Sequence, residues 1–360
     1  VPAGTYEIYT FLDLNNSGGY DVGDIGQLDN DDFTAEVTVS TGPAAAPDIT
    51  LANNVDAVAR VGTQHGKNEQ GEWYNLLPLV QSMKKQVINV QVVSGLNISG
   101  PLDLAVSEGI EFECWPWVPS RPVVGDTYRF KITYADGTPA TDDDNPSETV
   151  DRSVTAVLDG LPTPISPVGY IPFSPTPTFS WAPPSPAPAE YVYSLWVSDN
   201  NHNDVWDAWA ISSSTTSLLY GSRGDVMEPA LSDGTMYNWS LNVADRYGNQ
   251  AQNQVYFTPT SLPAVKSFSP VGGLPGTEVV ISGVNLNPAP EVRFNGVIAT
   301  AITNVTSTSL TVTVPEGATT GKISVDSFET SMDRNHNHYR QSTFIGNTGA
   351  DFRRPGRKAV

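Results

Sequence analysis

The sequence predicts an all-β chain of tandem β-sandwiches that ends in an extended tail. Three observations carry this. Helical periodicity is nearly absent, and the best helical window, Leu76–Met83, is interrupted by Pro78, which a helix interior does not accept. Strand-like alternation is frequent. Tyr128, Phe130, Ile132 and Tyr134 point one way with Arg129, Lys131 and Thr133 between them, and Asp136-Gly137 supplies the turn. Finally, Gly, Pro, Asn and Asp punctuate many short β-rich runs, with 30 glycines and 29 prolines in 360 residues.

That length corresponds to two or three domains of roughly 100–200 residues, or more if they are small sandwiches. Five segments follow from composition. Residues 1–42 hold two strand-like runs, Thr5–Leu12 and Phe33–Val39, around an acidic loop, and form a partial β-sandwich. Gly42–Pro47 is a linker, and residues 48–160 form a β-sandwich domain with an acidic turn at Asp142–Asn145. Pro162, Pro164 and Pro167 mark the joint to a third unit, residues 161–260. A fourth covers 261–325, and 326–360 is the tail.

The net charge of −20 divides unevenly: residues 1–325 carry −22 and the tail +2. An acidic body excludes nucleic acid and anionic lipid surfaces as its partners and favours divalent cations and basic partners. No apolar run approaches the ~18 residues of a membrane span, so no membrane insertion is expected. The single cysteine, Cys114, excludes an internal disulfide and a Cys-based zinc site. It reads as a small buried hydrophobe rather than a reactive thiol. No signal peptide is visible at Val1, which implies that a targeting segment was removed or that the chain starts inside a larger precursor.

The sharpest local motif lies between Asp13 and Asp24. A twelve-residue calcium loop wants oxygen side chains at its first, third and fifth positions, glycine at the sixth, a carbonyl at the seventh and further oxygens at the ninth and twelfth. Asp13, Asn15, Ser17, Gly18, Gly19, Asp21 and Asp24 fill that pattern, so calcium is the expected cofactor. The flanks read as strands, which argues against a helix–loop–helix sensor; the alternative is a solvated Asn/Gly/Asp turn.

Pro2–Asp24 resembles a family of bacterial cell-surface β-sandwich modules, and the resemblance implies a prealbumin-like sandwich closed by the calcium loop. In that family several strands precede the segment, whereas here it follows Val1 directly. Tyr6, Ile8, Thr10 and Leu12 would then lie on an uncovered face, to be covered by the next domain or by a strand from another chain.

Further along, Phe268-Ser269-Pro270, Gly272-Gly273, Pro275-Gly276-Thr277, Asn285-Leu286, Phe294-Asn295-Gly296 and Val314-Pro315 resemble the immunoglobulin-like IPT/TIG fold. Val279/Ile281 and Leu310/Val312/Val314 supply its inward faces, and Asn295-Gly296 a tight hairpin turn. Such domains are usually spacers or protein-contact modules. Residues 161–260 resemble a fibronectin type III sandwich. Pro175–Trp181 places a core tryptophan on an early strand, and Tyr237–Asp245 supplies a late strand whose Tyr237 is a tyrosine-corner candidate.

Candidate binding residues are few. The Asp199–Trp209 stretch reads as a long loop carrying Trp206 and Trp209. Exposed, they would stack on a sugar or a partner; buried, they would cap the sandwich core, where aromatic residues usually belong. Trp115-Pro116-Trp117 reads as a rigid, partly buried edge. His336 and His338 form a His-x-His candidate for a transition-metal or haem contact, weighed against a solvated segment. His65 and His202 fall in Gly/Asn-rich turns and receive no role. No Gly-x-Ser-x-Gly, His-Glu-x-x-His, phosphate-cradling or dinucleotide motif is present, and the chain reads as non-enzymatic.

The expectation is therefore a secreted or surface-exposed bacterial structural protein. Its basic tail, with Tyr339, Gln341, Thr343 and Ile345 on one face of a strand, would complete the open first sandwich of the next copy in a head-to-tail fibre. The alternatives are an adhesin or carbohydrate-binding accessory module using Trp206 and Trp209, and a coat on another extracellular filament such as a multihaem cytochrome polymer.

Overall fold

The computed structural model describes residues 56–83, 85–107, 111–135 and 146–325, with the backbone of residue 326 and of short strands at 4–8, 11–12, 25–26 and 35–39. No helix occurs among the described residues. The first segment contributes β1 (Gly4–Ile8), β2 (Phe11–Leu12), β3 (Ile25–Gly26) and β4 (Ala35–Val39). β1 pairs antiparallel with β4, and β2 with β3, so the last pair brackets residues 13–24.

The second unit supplies β5 (Ala57–Asn68), β6 (Gly71–Ser82), β7 (Val87–Ser94), β8 (Leu102–Asp103), β9 (Ala105–Val106), β10 (Glu111–Glu113), β11 (Trp117–Val118), β12 (Thr127–Tyr134) and β13 (Ser147–Ser153). The sheet β13-β12-β7-β8 packs on β5, β6 and β9–β11 over a core that includes Val61, Val80, Val90 and Phe130. β12 buries Tyr128, Phe130, Ile132 and Tyr134, as its alternation predicts. Most of the Leu76–Met83 window lies in β6. Pro78 is tolerated there because its missing N–H falls between β11, which pairs with Tyr74 and Asn75, and β10, which pairs with Leu79–Gln81.

The third unit supplies β14 (Thr163–Ser166), β15 (Gly169–Pro172), β16 (Thr178–Ala182), β17 (Val192–Asp199), β18 (Asp204–Ser212), β19 (Ser217–Leu219), β20 (Tyr237–Ala244) and β21 (Gln250–Thr260). Its two layers, β14-β16-β19 and β18-β17-β20-β21, enclose Phe179, Trp181, Trp206 and Trp239. Trp239 meets Phe179 edge to face at 5.1 Å. The Tyr237 hydroxyl accepts the Ser232 N–H at 2.9 Å, the upstream main-chain contact of a tyrosine corner.

The fourth unit supplies β22 (Ala264–Ser269), β23 (Glu278–Val284), β24 (Glu291–Phe294), β25 (Val297–Ile298), β26 (Ile302–Thr303), β27 (Ser309–Thr313) and β28 (Ile323–Asp326). Val279, Ile281, Leu310, Val312 and Val314 are all buried between its two sheets. Asn295 and Gly296 turn from β24 to β25 with φ of 44° and 87°, the positive values that a two-residue hairpin turn demands.

One feature differs from a string of separate sandwiches. β21 pairs in parallel with β5, Gln250–Asn253 alongside Gln64–Lys67, and joins the second and third units into one ten-stranded sheet. The prolines read as a joint do not separate the two: Thr163–Ser166 is β14, paired with β16. Buried side chains lock this seam. Thr63 Oγ1 donates to the Ala156 carbonyl at 3.0 Å, and Asn249 Nδ2 donates to Thr155 Oγ1 at 3.2 Å and to the Asp245 carboxylate at 2.9 Å. His65, placed by composition in a turn, lies in β5 instead. It is buried, stacked on Tyr74 at 4.7 Å, and its Nδ1 sits 3.1 Å from the Leu158 carbonyl.

Candidate functional site

The joined sheet has one face on the two cores and one face away from them. Along β20, Tyr237, Trp239, Leu241 and Val243 go inward, so Asn238, Ser240 and Asn242 go outward. The register carries this alternation across the sheet. Trp73 pairs with Gly66, Gly66 with Gln252, Gln252 with Asn242 and Asn242 with Ser194. The next row on one side runs Trp117–Asn75–Gln64–Gln250 and on the other Gln254–Ser240–Trp196. A register shift in the β17–β18 pair, between Tyr193 and Leu195, brings Trp209 beside Ser194.

The result is a neutral polar floor between aromatic residues. Its amides hold one another. Asn75 Nδ2 donates to Gln64 Oε1 at 2.9 Å, Gln64 Nε2 donates to Gln250 Oε1 at 3.2 Å and Gln252 Oε1 at 3.0 Å, and Gln254 Nε2 donates to Asn238 Oδ1 at 2.8 Å. At one end Trp73 lies over Gly66, where a Cβ would come within 2.1 Å of the indole. Beyond it Trp117 is 64% exposed. At the other end Trp196 and Trp209 meet edge to face at 4.8 Å, and Trp209 is 41% exposed. Asp207 stands beside this pair, with its carboxyl pushed up by burial. Four strand steps separate Trp73 from Trp196, about 19 Å at the usual strand spacing.

Asn242 sits in the middle row with its Oδ1 buried and without a hydrogen-bond partner. A buried acceptor left unpaired costs about 1–3 kcal/mol. Asn242→Val, with a side chain that suits a strand, should therefore raise stability by about 1 kcal/mol, seen as a higher urea midpoint. A lower midpoint would show that the amide is satisfied in the folded protein.

The structure separates the two tryptophans singled out from the sequence. Trp206 is fully buried, edge-on to Phe179 at 5.3 Å, with its Nε1 donating to the Arg223 carbonyl at 2.7 Å, and cannot reach a ligand. Only Trp209 is exposed, and its partner Trp196 carried no signal of its own. The long loop is also absent. β17 ends at Asp199 and β18 begins at Asp204, and the Asp199 carboxylate accepts the N–H groups of Asn201 and Asn203 at 2.8 and 2.9 Å. Trp115 and Trp117 form a more exposed edge than expected. Cys114 is half-buried with its thiol pushed up to about 11, chiefly by burial, in line with an inert side chain.

The calcium-loop residues Asp13, Asn15, Ser17, Gly19, Asp21 and Asp24 lie outside the described residues, as do His336 and His338. Among the described residues no group of three or more His, Cys, Asp or Glu is placed to hold a metal ion, and no helix is long and apolar enough to cross a membrane.

Comparison with known proteins adds the following. Residues 263–342 match the IPT/TIG domain. The match runs past residue 325 and takes in the first part of the segment read as tail. No curated protein matches the chain. Among solved structures, the chain is similar to a surface glycan-binding protein, SGBP-B, of the Bacteroides ovatus mixed-linkage glucan utilization locus, bound to a mixed-linkage heptasaccharide. Identity is 17% and the TM-score 0.26, over 70% of this chain and 57% of that one. The chain thus spans little more than half of that protein. It is also similar to a structure with xylogluco-oligosaccharide, at 14% identity and a TM-score of 0.24, over 75% of this chain and 57% of that one. A third is a bacterial ice-binding adhesin, at 13% identity and a TM-score of 0.19, over 72% of this chain and 86% of that one.

Proposed function

We propose that this protein is an extracellular, non-catalytic glycan-binding protein, and that the outer face of the joined sheet is its binding surface. One observation supports this above the others: a neutral Asn/Gln/Ser floor with Trp73 at one end and the Trp196–Trp209 pair at the other. Sugars present apolar C–H faces and uncharged hydroxyls. Indoles suit the first, and amides, each both donor and acceptor, suit the second. A floor about 19 Å across accommodates several sugar rings end to end. Asn75, Gln250, Gln252 and Gln254 are half-buried and would meet the ligand, whereas Gln64, Ser194, Asn238, Ser240 and Asn242 are buried beneath and hold them in place with little reorganisation.

The fibre reading draws on residues 1–42 and 326–360, whose side chains lie outside the described residues, whereas the sheet face is described throughout.

Mixed-linkage glucan and xyloglucan, the glycans of two of the similar structures, are the first ligands to titrate by calorimetry. Trp209→Ala and Trp73→Ala should each weaken binding about ten- to a hundredfold, as loss of an aromatic anchor does at a binding surface. The melting temperature of Trp209→Ala should stay close to that of the wild type. Unchanged affinity in both variants would refute the assignment of this face.

A further inference from the structure

The seam between the second and third units opens into a pocket of different chemistry. β21 accompanies β5 only along Gln64–Lys67. Beside the earlier part of β5, where β21 has not yet joined it, lies a pocket of about 210 Å³. Arg60, Arg152 and Arg246 line it, together with Ser153, Thr155 and Tyr247, and no Asp or Glu does. This is unexpected on composition. Residues 1–325 contain 35 acidic and 13 basic side chains, yet three of the 13 converge here.

The surroundings hold these arginines in place. Arg152 donates Nε to the Ala59 carbonyl at 2.7 Å and Nη1 to the Asp151 carbonyl at 2.9 Å, so its hydrogen bonds go to main-chain oxygens. Nearby Arg121 and Arg129 differ, each held by two hydrogen bonds to a carboxylate, Asp159 and Asp151. Arg246 reaches Glu190 at 3.2 Å with both side chains well exposed, an ion pair that holds little energy. The guanidinium of Arg60 lies against Gly248, 3.4 Å from where a Cβ would stand.

We infer that this pocket binds the carboxylate of an acidic sugar, a uronate unit carried by the glycan that crosses the sheet face. Guanidinium groups present planar pairs of N–H donors that match a carboxylate, and the hydroxyls of Ser153, Thr155 and Tyr247 suit the ring that bears it. The volume is below the ~300–1,000 Å³ of pockets for drug-sized ligands, which fits one small acidic unit rather than a chain. Arg60 and Gln64 lie on the same face of β5, four residues and about 13 Å apart, but the β20–β21 turn stands over Gly62 between them, so a glycan that reaches both the pocket and the floor passes around that turn. The site itself stands on the pocket; the chain said to carry the acid rests on the glycan-binding reading above.

The test titrates sodium glucuronate, glucose and inorganic phosphate separately into the intact protein, followed by NMR shifts and calorimetry. Glucuronate should bind, more weakly as salt rises, and glucose should not. Arg60→Gln and Arg246→Gln should each weaken glucuronate at least tenfold. Melting curves confirm that the variants are folded, and the salt dependence of the wild type stands independently of them. Glucuronate bound equally by both arginine variants, no glucuronate binding, or phosphate bound in preference would overturn the inference. Glucuronate bound through these arginines without any binding of neutral glucan would uphold the pocket and end the reading of the sheet face.

Discussion

Trp206→Ala should destabilise the third unit by about 3–5 kcal/mol, the range for removing a buried Phe or Trp from a core. The side chain is fully buried, and its ring stands 5.3 Å from Phe179 and 5.1 Å from Tyr220. Alanine would leave a cavity between two sheets whose strands are tied into a continuous ladder and cannot easily collapse. It would also leave the Arg223 carbonyl without the 2.7 Å bond from Nε1. Trp209→Ala, three residues along the same strand, should change stability by less than about 1 kcal/mol, because its indole is already partly in water. Urea denaturation of the two variants side by side is the measurement. Similar losses in both would mean that Trp206 is not a core residue.

The second large effect concerns the seam. A Cβ on Gly62 would lie 2.2 Å from the Gly248 carbonyl oxygen and 2.9 Å from its carbonyl carbon. Both are backbone atoms of the β20–β21 turn, so no side-chain rotation relieves the clash. Gly62→Val should push that turn away from β5 and pull apart the Thr63, Asn249, Asp245 and Thr155 contacts that lock it. Overpacking of this kind costs about 1–3 kcal/mol, and the broken buried hydrogen bonds add to it. In calorimetry the second and third units of the wild type should unfold in one joint transition, and the variant in two. Glycan affinity should fall as well, since Gln64 bonds across the seam to Gln250 and Gln252. One unshifted joint transition in the variant would show that the parallel pairing does not couple the two sandwiches.

The all-β architecture was legible because period-2 alternation is a local signal. Tyr128–Tyr134, Val279/Ile281 and Leu310/Val312/Val314 point inward as their spacing requires. The seam was not legible. It joins residues 186 positions apart in parallel, and neither Gln64 nor Gln250 announces its partner. Prolines at 162, 164 and 167 read as a joint because composition reports chain stiffness, not what a strand pairs with.

The candidate site was legible in part. Trp209 stood out as an aromatic residue among polar ones. Assigning Trp206 and Trp209 to a loop concealed a usable signal, since residues three apart on a strand tend to opposite faces and only one of the two then meets solvent. Trp73 and the amide floor could not be found this way. They are unremarkable residues spread over β6, β5, β21, β20 and β17, and only the tertiary register gathers them into rows.

The parallel pairing of β5 with β21 has a mechanical consequence. These are the first and last strands of the two-sandwich block: the chain enters at Ala57 and leaves at Thr260. Tension applied along the chain therefore pulls the leading end of one strand against the trailing end of its neighbour. Their hydrogen bonds lie across the load and must give way together rather than one at a time, as they would in a peeled hairpin. A protein held to a cell at one end and to a polymer at the other would have its toughest element directly in the line of force. Stretching single molecules from their ends should show these two units yielding at higher force than in the Gly62→Val variant.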